Sequence, residues 1–403
     1  MEQEKSHGLL RSPGIRVLIA GAVLQLFLGI IYVWSVFVGP VGGHFSWGAE
    51  SDVKLTSSYM LCCFVLGILT GGKLLAKIGA SKIVLAGGML MAVGMLATSF
   101  IPVESAWLIY VTYGIIGGFG VGMAYNAIIT CAQKWFPKNR GLATGISVST
   151  FGFATVIFAP LIESLIGSFG LINTFRILAA AFFAITALLF SFIKLPPAQD
   201  MQAGGQSAAK LPAVKQYTTG EMLKTRPFYL ITLSMMFFTA AFFILNPSFK
   251  SLAAERGMEA AATMIVMMTG VASALGRLAV PALADKIGRE KAVLSIIAAT
   301  ALGTAALCFV GGPLFIAAIA VIAFCYGGSS GVYPLLTADY FGLKNIGANY
   351  GAVMVGFMLS AQFFPMIILK LDVTIQFIVL TALALVALTM ILVLPFVKNK
   401  KNI

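Results

Sequence analysis

Long apolar stretches alternate with short polar ones along the whole chain of 403 residues. Each stretch holds about 20 residues or more, the length that an α-helix needs to cross a hydrocarbon core of about 30 Å. The pattern therefore predicts an all-α integral membrane protein with twelve transmembrane helices. In the first half we place them at 15–38, 54–76, 82–101, 105–132, 139–163 and 172–193. In the second half we place them at 227–252, 260–283, 290–311, 313–338, 345–370 and 372–397.

Composition agrees with this interpretation, since 59% of the residues are hydrophobic and only 10% are charged. A net charge of +13 would favour nucleic-acid binding in a soluble protein, but here the basic residues cluster in short loops. Of the 27 Lys and Arg residues, 21 fall on one side of the predicted membrane. The positive-inside rule makes that side cytoplasmic. We expect both termini in the cytoplasm, a bacterial-type inner membrane and no nucleic-acid partner. Residues 1–16 lack a small-residue cleavage site, which predicts a signal anchor.

A polar segment at 194–226 separates the two sets of six helices. It is rich in Pro, Gly, Gln and Ala and cannot cross a bilayer. We predict an N-terminal bundle at 1–193, a cytoplasmic linker at 194–226 and a C-terminal bundle at 227–403. Residues 218–221 read TTGE, the pattern of a capping box, which predicts a short interfacial helix at the end of the linker.

The two halves also repeat each other. Residues 72–79 read GKLLAKIG and residues 281–288 read PALADKIG, so that their final glycines stand 209 positions apart. A second similar pair is WFPKNRGLATG at 135–145 and YFGLKNIGANYG at 340–351. Internal repeats of this kind are typical of secondary transporters, whose substrate site lies near the bilayer midplane between the repeats.

Arg277 lies inside the predicted span 260–283, which holds no other ionisable side chain. An arginine at that depth costs about 2.5 to 3.5 kcal/mol on insertion scales, and such charges usually face a cavity or a partner. Small residues at helical spacing let a neighbouring helix or a ligand come close; they are Gly270, Ser273, Ala274 and Gly276. We hypothesise that Arg277 binds the carboxylate of a transported anion. The alternatives are snorkelling to the cytoplasmic interface or pairing with a structural carboxylate.

Polar aromatic residues in other spans are further candidates for substrate contacts. Tyr125 and Asn126 follow a glycine-rich run in the fourth span, and Tyr32 lies in the first. Tyr326 and Tyr333 are seven residues apart in the tenth span and share one face, where their hydroxyls could hold an anion bound to Arg277. Taken alone, each of these residues is more often a packing residue of a helical core.

Neither histidine lies in a span, and the five cysteines do not have zinc-ligand spacing. An intramembrane enzyme would need a metal cluster or a nucleophile with its base. We therefore expect no enzyme activity, no metal and no cofactor. The fourteen carboxylates lie at span ends or in loops. Asp285 and Asp339 are among those nearest the membrane, and we take them as candidates for coupling or gating.

Several segments resemble a known family. Residues 284–289 read ADKIGR and resemble the signature loop of the major facilitator superfamily, with a degraded copy at 76–82 in which Ala76 replaces the aspartate. Five segments resemble, more narrowly, its oxalate/formate antiporter and monocarboxylate transporter branch: GFGVGMAY, QKWFPKNRGLATG, TGEMLKTRPFY, GRLAVPALADKIGR and NYGAVMVGF. The resemblance implies two pseudo-symmetric six-helix bundles, with Tyr32 and Tyr125 matching aromatic residues of the family's pocket.

Two departures from the family bear on the substrate. Members that exchange oxalate have a lysine in helix 11, where this chain has Phe357. One intramembrane cation matches one carboxylate, which favours a small monocarboxylate such as lactate or pyruvate. Animal monocarboxylate carriers have an aspartate one turn before the helix 8 arginine, where this chain has Ser273, and a lysine in helix 1, which is missing here. Their proton relay cannot be transferred to this chain.

The predicted function is secondary active transport of a small monocarboxylate by alternating access, with protons as co-substrate and a monomer as the working unit. Exchange of carboxylates, of the formate or oxalate type, is the alternative. A multidrug exporter with a Met- and Phe-rich cavity is a more distant one. The last alternative is a sensor that binds a carboxylate but does not transport it.

Overall fold

A computed structural model describes residues 12–47, 50–197, 215–258 and 262–399. Both termini and the middle of the predicted linker, 198–214, lie outside the described residues. The chain divides into two compact units, Met1–Ala213 and Val214–Ile403.

The first described helix of unit 1 begins at Pro13, where proline is favoured because its missing N–H would be unpaired in a first turn. The 50-residue helix Arg140–Leu189 is interrupted at Gly170, whose φ of 76° and ψ of 165° are not helical, so it is two helices. The helices of unit 1 are α1 (Pro13–His44), α2 (Glu50–Ile78), α3 (Ala80–Thr98), α4 (Tyr110–Trp135), α5 (140–169) and α6 (171–189).

Two of these helices are irregular where they pack against their neighbours. The middle of α1, Gly29–Val33, is a 3₁₀ turn, and a Cβ on Gly29 would lie 2.1 Å from the carbonyl oxygen of Phe151 in α5. The first third of α4, Tyr110–Gly117, is a π-helix. Irregular turns of these kinds often mark hinges or functional sites in membrane and soluble proteins.

Unit 2 repeats the arrangement of six helices. They are α7 (Arg226–Leu245), α8 (Ala262–Ile287), α9 (Arg289–Ala306), α10 (Gly312–Phe341), α11 (Ile346–Ile368) and α12 (Val373–Asn399). In the predicted span 227–252 the α-helix ends at Leu245. Pro247, two residues further on, has no backbone N–H with which to continue the helical hydrogen bonds. A 3₁₀ turn follows, and then a separate short helix, Phe249–Glu255.

All twelve predicted spans are helical in the described residues. Ten stretches there are long and apolar enough to cross a membrane. One of them, Arg140–Phe192, contains the two spans that Gly170 separates. The twelfth span is α9, whose first turn is charged because it contains Arg289, Glu290 and Lys291.

The internal repeat is visible in the backbone. Gly79 joins α2 to α3 with φ 84° and ψ 160°, and Gly288 joins α8 to α9 with φ 94° and ψ 149°. Side chains other than that of glycine rarely adopt a positive φ of this size. The two glycines that end the repeated sequence motifs therefore make the same tight connection in both units.

Each described end of the linker is bound to the unit that it adjoins. In unit 1, the side chains of Ser81 and Trp135 donate hydrogen bonds to the carbonyl oxygens of Ile193 and Lys194, at 2.8 and 2.7 Å. In unit 2, the predicted capping box is present, and the helix that it starts is Thr219–Met222.

Candidate functional site

The contact between α8 and α10 positions the central arginine of unit 2. A Cβ on Gly276 would lie 1.9 Å from the carbonyl oxygen of Phe324, and one on Gly327 would lie 1.9 Å from that of Ser273. The two backbones thus touch at positions where only glycine fits. Gly270 does not take part, because it is exposed and a Cβ there would meet no atom of the described residues within 4 Å. The expectation for Gly270 was wrong.

Arg277 lies midway along α8 and is 4% exposed. The backbone of Arg277 is close to Gly331 of α10, since a Cβ on Gly331 would lie 3.3 Å from the carbonyl oxygen of Arg277. The opposite face of α8 is open, since Leu275 and Leu283 are each about half exposed. The helix therefore buries its arginine and exposes these two leucines.

An aromatic cluster on three helices lies one turn from the level of Arg277. Tyr326 of α10 stacks on Phe242 of α7, with ring centroids 3.8 Å apart and planes within 8°. Phe357 of α11 lies 6.4 Å from Tyr326 and 5.0 Å from Phe243. Phe357 is therefore beside one of the predicted substrate residues.

Tyr333 lies deeper in the helix packing than Tyr326. Its side chain is fully buried, and its hydroxyl is hydrogen-bonded to that of Ser234 in α7 at 3.1 Å. The serine hydroxyl also donates to the carbonyl oxygen of Ile231. In the described structure the Tyr333 hydroxyl thus links α10 to α7, and its predicted role as an anion ligand stays a prediction.

The three candidates of unit 1 lie close together. Tyr32 and Tyr125 both contact the ring of Phe151, with centroid separations of 5.4 and 4.9 Å. Asn126 is buried, and its side-chain amide donates to the carbonyl oxygen of Ile68 at 2.9 Å. Gln25 donates to the carbonyl oxygen of Tyr125 at 3.3 Å, so α1 is bonded to α4 at this level.

Asp285 and Asp339, the candidates for coupling or gating, meet at a single arginine. Arg289 contacts Asp285 at 2.6 Å and Asp339 at 3.4 Å. Next to them, the hydroxyl of Tyr340 donates to the carboxylate of Glu290, which joins α10 to α9. Asp285 is eight residues from Arg277 along α8, roughly 12 Å at 1.5 Å per residue. This charge network is therefore about two turns from the buried arginine.

Sequence reasoning had missed Ser234, Phe242 and Phe243 of α7. Ser234 carried a usable signal, because a hydroxyl inside an apolar span needs a hydrogen-bond partner. The two phenylalanines carried none, since a phenylalanine in an apolar helix can face lipid or the helix bundle equally well. Only the packing of α7 against α10 and α11 distinguishes them.

The chain thus has two units of six long helices each, and a helix of unit 2 contains the buried Arg277. This is the organisation of a polytopic membrane transport protein. The chain belongs to the Major Facilitator Superfamily, whose sequence profile matches residues 17–365. An E. coli fucose:proton symporter, FucP, solved as a variant, has the same fold. The two structures superpose with a TM-score of 0.73, and their sequences are 14% identical. The match covers 94% of this chain and 98% of FucP.

Curated relatives lie in the branch that the sequence predicted. The uncharacterised transporter YhjX of Escherichia coli K12 is 27% identical over 84% of each chain. The oxalate:formate antiporter of Oxalobacter formigenes is 26% identical over 86% of this chain and 82% of its own. Monocarboxylate transporter 13 of Rattus norvegicus is 24% identical over 83% of this chain and 79% of its own. The predicted family, its branch and the all-α fold are confirmed.

Proposed function

We propose that the protein is a secondary active transporter that takes up a small monocarboxylate of the lactate or pyruvate type together with a proton. The observation that carries the proposal is Arg277, a cation that is 4% exposed midway along a 26-residue helix. Ionisable groups inside membrane spans mark substrate pathways. The planar guanidinium binds a carboxylate through two parallel hydrogen bonds, which a lysine cannot do.

The surroundings of Arg277 support a substrate with one carboxylate and an apolar body. The Tyr326 and Phe357 rings lie side by side one turn away, and position 357 supplies no second cation. The names of the relatives point to the same class of ligand, since they include an oxalate:formate antiporter and monocarboxylate transporters. In this proposal Tyr125, Asn126 and Tyr32 are further substrate contacts, and the working unit is a monomer.

Exchange of one carboxylate for another is the second candidate, and the similarity to an antiporter favours it. In both schemes the protein lies in a bacterial-type inner membrane with its termini in the cytoplasm, which the excess of basic residues on one side supports.

The test is counterflow of labelled lactate into proteoliposomes that contain lactate, pyruvate, formate or oxalate. We expect lactate and pyruvate to exchange, Arg277→Ala to abolish uptake, and Arg277→Lys to restore little because the bidentate contact is lost. Arg176→Ala is a matched control, since this arginine of α6 is hydrogen-bonded to Ser99 and Asn173, apart from the proposed site. Normal uptake by a folded Arg277→Ala variant would overturn the proposal.

A further inference from the structure

Residues 215–219 of the linker lie along the junction between α10 and α11, and we call them the strap. Its centre is Tyr217, whose backbone N–H donates to the carbonyl oxygen of Phe341 at 3.0 Å. The carbonyl oxygen of Tyr217 accepts from the side-chain amides of Asn345 at 2.8 Å and Asn349 at 3.1 Å. Both backbone groups of one linker residue are thus bonded to the end of α10 and the start of α11.

The neighbours of Tyr217 extend this contact. The side-chain oxygen of Gln216 accepts from the backbone N–H of Lys344 at 2.9 Å, and the hydroxyl of Thr219 donates to Asn349 at 3.0 Å. The ring of Tyr217 meets that of Phe341 edge to face, with centroids 5.6 Å apart. The strap is therefore held by a continuous set of hydrogen bonds and one aromatic contact.

The part of α10 that the strap holds follows a proline in that helix. Pro334 lies inside α10, and a proline removes a backbone hydrogen bond and weakens the helix at that point. On the other side of the same segment, Asp339 is paired with Arg289, and Tyr340 is bonded to Glu290. The last two turns of α10, residues 335–341, thus lie between the strap and the charge network.

We propose that the strap is a latch on α10, which slows the rearrangement of this helix while it is docked and speeds it when released. Its hydrogen bonds lie close to solvent, since Lys215, Gln216 and Thr218 are exposed. Contacts of this kind open locally without unfolding of the surrounding helices. Losing one such bond shifts the docking equilibrium by roughly 2- to 13-fold.

The latch would act on transport through the same helix. α10 carries Tyr326 and Tyr333, and its Gly331 lies against the backbone of Arg277. A change in the end of α10 is therefore passed to the proposed substrate site, which adds control by the linker to the proposed function.

The test is hydrogen exchange, measured without substrate, on wild type and on the double variant Gln216→Ala with Asn345→Ala. We expect the Tyr217 amide to exchange at least about tenfold faster in the double variant, and the amides of 335–341 to speed up with it. Asn246→Ala, an exposed asparagine at the far end of α7, is the control and should change neither. The latch would be overturned if the wild-type Tyr217 amide exchanged as fast as an unstructured one. It would also be overturned if the exchange rates at 335–341 were the same in the double variant as in wild type. Both results are independent of whether lactate is a substrate.

The second arm measures lactate uptake by the same proteins in proteoliposomes. We expect turnover to rise a few-fold in the double variant, with the Kd for lactate unchanged, because the latch acts on a rate. Turnover that stays the same or falls after the strap is released would overturn its control of transport. If the wild-type protein takes up no lactate, the proposed substrate is wrong. The hydrogen-exchange results would then still test the latch.

Discussion

Replacing Phe357 by lysine tests what excludes dicarboxylates from the proposed site. The ring of Phe357 is 5% exposed and lies against Phe243 at 5.0 Å and Tyr326 at 6.4 Å. A lysine there would keep much of the side-chain length and bring an ammonium group beside Tyr326. The expected result is a gain in the affinity for oxalate relative to lactate.

The size of the gain follows from charge and distance. An ammonium group about 5 Å from a second carboxylate attracts it by about 3 kcal/mol at an effective dielectric constant of about 20. If desolvation removes half of this energy, about 1.5 kcal/mol remains, which corresponds to roughly a tenfold change in a dissociation constant. The variant also loses the buried ring, and truncation of a buried phenylalanine costs up to about 3 to 5 kcal/mol of stability, so its Tm should fall.

The assay is equilibrium binding of lactate and oxalate to the purified protein, followed by counterflow with both acids. Phe357→Met is the matched control, because it removes the ring without adding charge and should leave the oxalate-to-lactate ratio close to that of wild type. An unchanged ratio in a folded Phe357→Lys variant would show that selectivity is set elsewhere. Equal gains in both variants would show that space, and not charge, is what limits oxalate.

Three further predictions concern coupling, packing and the linker helix. Lactate uptake should be electroneutral and accelerated by an inward proton gradient, measured with an imposed pH step and a clamped potential. Uptake that does not respond to the pH step but requires a carboxylate on the opposite side of the membrane would favour exchange. Ser234→Ala should lower the Tm, because a buried Tyr333 hydroxyl without its partner costs about 1 to 3 kcal/mol, and adding Tyr333→Phe should recover part of the loss. The backbone N–H and the hydroxyl of Thr218 lower the pKa of Glu221 below its usual 4.5, so the capping box is stabilised above that pH and weakens as pH falls through the folded-state value. The protection of the amides near Met222, taken from their exchange rate relative to that of an unstructured chain at the same pH, should therefore fall in acid in wild type and depend less on pH in Glu221→Gln.

The sequence by itself determined the fold class and the number of helices. A run of 20 apolar residues can satisfy its backbone hydrogen bonds in a membrane only as a helix or in a closed barrel, so length and hydropathy leave little choice. The repeated motifs ending at Gly79 and Gly288 also predicted their shared connection, because a tight turn between helices favours glycine. The sequence also predicted that Arg277 is buried, because its span holds no other ionisable residue.

Tertiary structure decided which residues meet, and the sequence had no means of doing so. Transmembrane helices are apolar on every side, so the pattern does not reveal which face packs inwards. Gly270 and Gly276 were predicted to act alike, but only Gly276 packs against α10. The pairing of Tyr333 with Ser234, and of Arg289 with both Asp285 and Asp339, depends on helices far apart in the chain. The docking of the strap on α10 and α11 is of the same kind, since hydrogen bonds between polar loop residues follow from their positions in space and leave no periodic signal in the sequence.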